Sequence, residues 1–175
     1  MLEFNNKLKY FAPILLILAG GIAAMLLTER QTNRFKPVSL PSLNGERISI
    51  PDQRGKLTWV SSWSASCAIC LHELPELERL YQQYGDQLSI VALAMPYDPP
   101  NALLEVRDRL QLSVPVLLDL DGETARQLTP DLVVPSHHLI DSQGNVLLNW
   151  RGALTRDEIL ARLKPHLQTQ AVNGQ

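Results

Sequence analysis

The sequence predicts an α/β domain with a central mixed sheet and helices on both faces, preceded by an apolar N-terminal segment. Apolar runs of strand length alternate with amphipathic stretches of helix length along most of the chain. Such alternation is typical of helices packed on a central sheet. With 175 residues, 45% of them hydrophobic, the chain is long enough for one domain with its own core plus an appendage.

The first half of the domain centres on one buried strand and the helix that follows it. Before them, Asn44-Gly45 lies between two short extended runs and predicts a hairpin turn. The uncharged run 57–62, which leads to Trp63, indicates a buried strand. Residues 67–84 form an amphipathic pattern with leucines on one stripe, in which Pro75 is expected to introduce a kink.

The second half repeats the alternation. Thr155-x-x-Glu158 is a capping-box signal for a last helix that ends near Lys164. The elements predicted between are a strand at 88–94, a helix at 102–110, a strand at 114–118, a helix at 122–128 and a hairpin of strands at 136–141 and 146–150. The order β-β-β-α-β-α-β-α-β-β-α covers a domain of residues 35–168, followed by a flexible tail at 169–175.

Residues 1–34 differ from the rest of the chain. The uncharged run 11–28, FAPILLILAGGIAAMLLT, would form a helix about 27 Å long, close to the hydrocarbon thickness of a bilayer. We therefore expect residues 1–34 to be a single-pass membrane anchor and linker. The alternative is a cleaved signal peptide, since Gly21-Ile22-Ala23 resembles a cleavage site, although the apolar run continues past it. Basic residues on both sides of the run do not fix its orientation.

The charge pattern excludes one class of partner. The net charge is −2, and no basic run of the kind that marks nucleic-acid binding occurs in the sequence. We expect no nucleic-acid partner, no cofactor and no resident metal. The mildly acidic surface is that of an ordinary soluble domain.

The two cysteines of the chain stand three apart, in Cys67-Ala68-Ile69-Cys70. A strand that delivers Cys-x-x-Cys onto a helix N-terminus is the layout of a thioredoxin-type redox site. Cys67 is the predicted attacking thiol, because free N–H groups at the helix start stabilise a thiolate. Cys70, one turn deeper, is predicted to resolve the mixed disulfide. The alternative is a pair of buried free thiols.

Three motifs in order give the chain a resemblance to a known family. They are Arg54-Gly55-Lys56 ahead of a strand ending at Trp63, then Cys67-x-x-Cys70-x-x-Glu73-x-Pro75, then Val134-Pro135-Ser136-His137-His138-Leu139-Ile140-Asp141. Over about residues 35–168 the chain resembles the membrane-anchored thioredoxin-like disulfide reductases of bacteria, the TlpA/ResA type. The resemblance implies a thioredoxin-like fold with an added N-terminal β-hairpin.

The resemblance also implies roles for individual residues. Glu73 would be a partly buried carboxylate that takes the proton of Cys70, whereas the alternative is a solvated helix carboxylate like Glu76 and Glu78. Pro135 would be a cis-proline facing the Cys67–Cys70 disulfide. The backbone of Val134 would pair with an extended substrate strand, and Trp63 would pack beneath the motif and contribute to substrate binding.

The function expected from this resemblance is that of a thiol–disulfide oxidoreductase tethered to the bacterial inner membrane. The catalytic domain would face the periplasm and reduce disulfides in partner proteins. A membrane electron donor would then reduce the Cys67–Cys70 pair again. Apocytochrome c and copper-site proteins are candidate substrates. The cytochrome-specific branch has an acidic residue just after the cis-proline, and Ser136 stands there instead.

Two departures from the family keep alternatives open. His137-His138 replaces the usual Thr-Phe, and Ser61 stands where thioredoxin has a buried aspartate. Adjacent strand residues point to opposite faces, so only one histidine could join Cys67 and Cys70 as a copper or zinc ligand. The other interpretation is a satisfied or partly exposed pair of histidines. A disulfide oxidase or isomerase also fits the motif, because direction depends on a reduction potential that the sequence does not give.

Overall fold

The structure, a computed structural model, describes residues 15–21 and 34–173, with side chains through residue 168. The chain divides into two compact units, Met1–Arg34 and Phe35–Gln175. In the first unit, residues 15–21 are helical. Most of the predicted span 11–28 lies outside the described residues. Within the described ranges, no helix combines the length and the apolar character needed to cross a bilayer. The membrane anchor therefore stays a prediction.

The second unit contains eleven elements in the order that the sequence predicts. The strands are β1 (Val38–Pro41), β2 (Arg47–Ile50), β3 (Thr58–Trp63), β4 (Ser89–Ala94), β5 (Val116–Leu118), β6 (Ser136–Ile140) and β7 (Val146–Arg151). The helices are α1 (Ala68–Tyr84), α2 (Pro100–Leu110), α3 (Glu123–Leu128) and α4 (Arg156–Asn173).

Strands β3 to β7 form one mixed sheet in the order β5-β4-β3-β6-β7. β3 runs parallel to β4, and β4 runs parallel to β5. β6 is antiparallel to β3, and β7 is antiparallel to β6. β1 and β2 form a separate antiparallel hairpin whose turn contains Gly45, at a φ of 84°. The predicted mixed sheet and N-terminal hairpin are both confirmed.

Each face of the sheet carries its own apolar layer. The first layer packs Trp59 and Trp63 of β3 against buried residues of α1, α2 and α4. The second layer packs Val60 of β3 against the β1–β2 hairpin and Leu128 of α3. All six residues of β3 are buried, because both faces of this strand are covered. The strand therefore contains no charged residue and shows no alternation of buried and exposed positions.

One boundary differs from the sequence prediction. The last helix does not end near Lys164 but continues through Pro165 to Asn173. Proline lacks an N–H group and disfavours a helix interior, so the prediction stopped there. The apolar stripe nevertheless continues, because Leu163 is buried and Leu167 packs against the same layer. Tertiary packing therefore extends the helix beyond its local stop signal.

Candidate redox site

Cys67 and Cys70 form a disulfide at the N-terminus of α1, with their Cα atoms 5.2 Å apart. Cys67 is the N-cap residue, in extended backbone conformation, and the N–H of Cys70 donates to its Sγ at 3.2 Å. The N–H of Cys67 in turn donates to the carbonyl of Ser64 at 3.1 Å. A tight turn after β3 thus places the first cysteine at the start of the helix.

The two sulfurs differ in their access to solvent. Cys70 is only 1% exposed, whereas Cys67 is partly exposed and its neighbour Ile69 is 61% exposed. Once the pair is reduced, the free N–H groups and the dipole at the start of α1 favour a thiolate on Cys67. This geometry suits attack by Cys67 and resolution by Cys70.

Asp98 fixes the loop that carries the first cysteine, and sequence reasoning did not single it out. The hydroxyl of Ser64 donates to Asp98 Oδ1 at 3.0 Å, and the N–H of Ala65 donates to Oδ2 at 2.8 Å. Asp98 follows β4, and the carboxyl ends of the parallel strands β3 and β4 meet at one edge of the sheet. The signal that could have found it is a carboxylate just after the neighbouring strand.

Pro135, the residue before β6, lies at the same end of the sheet as Cys67 and Asp98. The antiparallel register pairs Ser62 with Ser136, so Pro135 lies at the carboxyl end of β3, the end that leads to Cys67. The Val134–Pro135 peptide bond is cis, as predicted. Val134 is partly buried against the same apolar layer as Cys67. A second cis bond, Ile50–Pro51, follows β2 and had no signal in the sequence.

Glu73 is a buried carboxylate on α1, three residues after Cys70, with 6% of its surface exposed. The N–H of Leu154 donates to its Oε1 at 2.9 Å. The same Oε1 lies 3.1 Å from Nε2 of His137, a close approach without the alignment of a full hydrogen bond. The solvated alternative for Glu73 is therefore wrong. Glu78 is also buried, and its Oε2 accepts the N–H groups of two residues that precede β5.

The two histidines lie on opposite faces of the sheet, as expected for neighbours in a strand. His137 is fully buried on the α1 side, where its Nδ1 lies 3.0 Å from Ser61 Oγ and its ring stacks on Trp59. His138 is buried on the other face, and burial lowers its pKa to about 4. His138 is thus neutral at neutral pH.

The metal-binding alternative receives no support from this arrangement. Of the two histidines, only His137 lies on the face of α1, and its nitrogens are directed at Ser61 and Glu73. Within the part of the chain that the structure describes, no cluster of three histidine, cysteine, aspartate or glutamate side chains could hold a metal ion.

Trp63 is 1% exposed and belongs to the same buried cluster as Cys70. It supports the motif from beneath, as the sequence suggested. Since its side chain presents almost no surface, it offers a substrate no direct contact in this oxidised state.

Four exposed apolar side chains come from segments at the edge of the sheet where the disulfide lies. Ile69 stands between the cysteines, Tyr97 follows β4, Leu120 follows β5, and Val133 precedes β6. We call these four residues the apolar rim. Exposed apolar side chains that share an end of the sheet with a reactive centre are candidates for contact with a partner.

The sequence and the fold of this chain are similar to those of known proteins. The family model described as the AhpC/TSA family matches residues 32–148. The thioredoxin-like protein YneN of Bacillus subtilis is 27% identical over 167 residues, covering 89% of this chain and 96% of that relative. The thiol-disulfide oxidoreductase ResA of Bacillus thuringiensis is 26% identical over 169 residues, covering 91% of this chain and 96% of ResA.

A solved structure shares the fold. The crystal structure of StoA from Bacillus subtilis aligns with a TM-score of 0.64 and 22% sequence identity, covering 71% of this chain and 93% of StoA. The resemblance to thioredoxin-like thiol-disulfide oxidoreductases of the ResA type, which the motifs suggested, is confirmed by these matches.

Proposed function

The chain belongs to the AhpC/TSA family and is a thiol–disulfide oxidoreductase, and on that premise we propose that it reduces disulfides in partner proteins. The observation that carries the exchange chemistry is the unequal exposure of the two cysteines at the start of α1, and the direction toward reduction follows the resemblance to the ResA type. Cys67 is partly exposed and therefore accessible to a partner, whereas Cys70 is buried. An exposed attacking sulfur with a buried resolving sulfur is the arrangement that thiol–disulfide exchange requires.

The reaction proceeds through one mixed disulfide. The Cys67 thiolate attacks one sulfur of the substrate disulfide, and the other substrate sulfur leaves with the electron pair as a thiolate. Cys70 then attacks Sγ of Cys67, the bond between Cys67 and the substrate breaks, and the second substrate sulfur leaves reduced. The substrate gains two electrons, and the enzyme ends as the Cys67–Cys70 disulfide seen in the structure.

Glu73 supplies the base for the second step. Cys70 must lose its proton before it attacks, and its burial keeps bulk water away. Glu73 lies about one turn further along the same buried face of α1 and is the carboxylate we assign to this proton transfer. The carboxylate accepts the Cys70 proton and passes it on to solvent.

The apolar rim and the Val134 backbone form the substrate surface in this proposal. The rim offers apolar contact around Cys67, and the segment before β6 offers a backbone edge to an extended strand of the partner. A partner whose disulfide lies in an exposed, apolar and extended segment suits such a surface. Apocytochrome c and copper-site proteins stay candidate substrates.

We also propose that residues 11–28 tether the enzyme to the inner membrane with the catalytic domain in the periplasm. Support comes from the length and the uncharged character of this run. Disulfides form and persist in that oxidising compartment, so a reductase there needs electrons from a membrane donor. Fusion of alkaline phosphatase to the C-terminus tests the orientation. Active phosphatase is expected, and an inactive fusion would place the domain in the cytoplasm.

The reduction potential of the Cys67–Cys70 pair tests the direction of the reaction. The full chain is equilibrated in glutathione or dithiothreitol redox buffers, and tryptophan fluorescence near the disulfide reports its state. A potential of about −250 mV or lower, on a scale where thioredoxin lies near −270 mV, is expected for a reductase. A potential of about −120 mV, like that of a strong periplasmic oxidant, would instead make the chain an oxidase.

A further inference from the structure

Three polar side chains from three elements form a continuous buried path on the α1 side of the sheet. Ser61 of β3 contacts His137 of β6 at 3.0 Å between Oγ and Nδ1. His137 Nε2 lies 3.1 Å from Oε1 of Glu73 on α1. His137 has no exposed surface and stacks on Trp59, with ring centroids 5.6 Å apart. Polar contacts in such an apolar layer are stronger than in water.

The contacts of the imidazole determine where its proton lies. When the hydroxyl of Ser61 donates to Nδ1, the neutral ring keeps its proton on Nε2, the atom that faces the carboxylate. Oε1 of Glu73 then faces two donors, the N–H of Leu154 and the N–H of the ring. Both donors can hold this carboxylate oxygen in a fixed position. Contacts of this kind often align only in the reacting complex.

We propose that His137 is a positioning residue of the redox site, which holds the carboxylate of Glu73 in place as the acceptor for the proton of Cys70. The inference rests on the proposed function and deepens it, because it gives a role to a histidine where the family motif has threonine. In the release step, Cys70 Sγ–H gives its proton to Glu73. The Cys70 sulfur then bonds to Cys67, and the substrate sulfur leaves with its electron pair.

The surroundings of Glu73 provide a path for the proton to solvent. Glu73 lines a cavity of about 370 Å³ between α1 and the start of α4. The other titratable or charged residues on its wall are His72, Glu76, Arg156, Asp157 and Glu158. The ring of His137 itself faces Ser61 and Trp59 from β3 and Glu73 from α1. Glu73 therefore connects the buried pair to the outside.

The test compares two substitutions in one strand. His137→Phe keeps a flat ring against Trp59 and removes both nitrogens. His138→Phe is the matched control, because His138 is equally buried, adjacent in sequence and on the opposite face. Each full chain is reduced, mixed with an oxidised disulfide peptide and quenched with acid over a series of times. The quench separates formation of the mixed disulfide from release of the reduced peptide.

In His137→Phe, release is expected to slow about tenfold or more at neutral pH, less than the ~10²–10⁴-fold contribution of a general base because His137 acts through Glu73. The mixed disulfide should accumulate because its release is slowed. Formation of the mixed disulfide should not change. In His138→Phe both steps should match the wild type. A purely structural role for His137 would instead disturb formation and release together.

Two further variants keep the test decisive if His137→Phe folds poorly. Ser61→Ala removes the partner of Nδ1 with little change in volume and should slow release in the same direction. His137→Gln offers an N–H group toward Glu73 and should recover part of the rate. Release rates equal to those of the wild type in His137→Phe or Ser61→Ala would overturn the inference alone. A wild-type chain that forms no mixed disulfide would overturn the proposed function and this inference with it.

Discussion

Asp98 Oδ2 accepts the backbone N–H of Ala65 at 2.8 Å, and this contact ties the segment after β4 to the loop that presents Cys67. The second carboxylate oxygen accepts the hydroxyl of Ser64 at 3.0 Å. One side chain therefore holds the loop by two charge-assisted hydrogen bonds across 33 and 34 positions of sequence.

Asp98→Ala is expected to loosen this loop. Loss of the acceptor should lower the free energy of unfolding by about 1–3 kcal/mol, the range for hydrogen bonds to charged groups. It should also slow the first attack by Cys67, because the helix start is no longer fixed. Chemical denaturation and stopped-flow mixing with a disulfide peptide measure the two effects. Asp98→Asn keeps one carbonyl acceptor and should lose less, so equal losses in both variants would contradict this explanation.

The two cysteines should separate the two steps of the reaction. Cys70→Ser leaves the exposed Cys67 able to attack but removes the resolving thiol, so a stable mixed disulfide with the substrate is expected. Cys67→Ser should form no such adduct, because Cys70 is 1% exposed. Non-reducing electrophoresis and mass spectrometry of both variants check this. Equal trapping by both variants would show that the sulfurs do not differ in access.

Glu78 is expected to contribute to stability without affecting the redox chemistry. Its Oε2 accepts the N–H groups of Ser113 and Val114, each at 2.8 Å, and it is 6% exposed. Glu78→Gln should lower the free energy of unfolding by about 1–3 kcal/mol. Glu76→Gln on the same helix removes only a half-exposed ion pair with Arg79 and should change it by about 0.5 kcal/mol or less. Urea titration measures both, and the reduction potential should be the same in both variants.

His138 should make the protein less stable in acid. Its pKa is about 4 in the fold, lowered chiefly by burial, against an ordinary value of 6.5. The unfolded chain therefore binds a proton in this pH window that the fold does not, and stability falls as pH drops from 6.5 toward 4. The loss attributable to this residue is about 3 kcal/mol. His138→Phe should flatten that part of the stability curve, whereas an unchanged acid slope would contradict the assignment.

The apolar rim should matter for protein substrates and not for small ones. Leu120 is 74% exposed at the edge of the sheet that carries the disulfide. Leu120→Ser should raise KM for a disulfide protein and leave the rate with oxidised glutathione unchanged, since glutathione is expected to be too small to reach Leu120 from Cys67. Leu147→Ser is the control, because Leu147 is 38% exposed at the opposite end of the β6–β7 pair. Steady-state kinetics with both substrates distinguish the two variants.

Local sequence patterns were enough to predict the main elements of the fold and the position of the two cysteines. Asn44-Gly45, the buried run of β3 and the two cysteines each act over a few residues, and the structure places all of them as expected. The alternation of side chains along β6 likewise separated His137 from His138 correctly.

Contacts between residues far apart in the sequence were not predicted. Asp98 and Glu78 bind backbone groups that are 33 to 36 positions away in the sequence. The residues next to them in the sequence therefore do not indicate these roles. The link between His137 and Glu73 depends in the same way on how β6 packs under α1. The length of α4 depends on burial of its apolar stripe, which outweighs the local effect of Pro165.

The unequal depth of the two sulfurs also governs how the site withstands oxidative damage. A peroxide that reaches the protein meets Cys67 first and converts its thiolate to a sulfenic acid, while Cys70 stays shielded. Cys70 then condenses with that sulfenic acid to give water and the ordinary Cys67–Cys70 disulfide. The oxidised site thereby returns to the disulfide form of the normal cycle, from which the proposed electron donor would reduce it again.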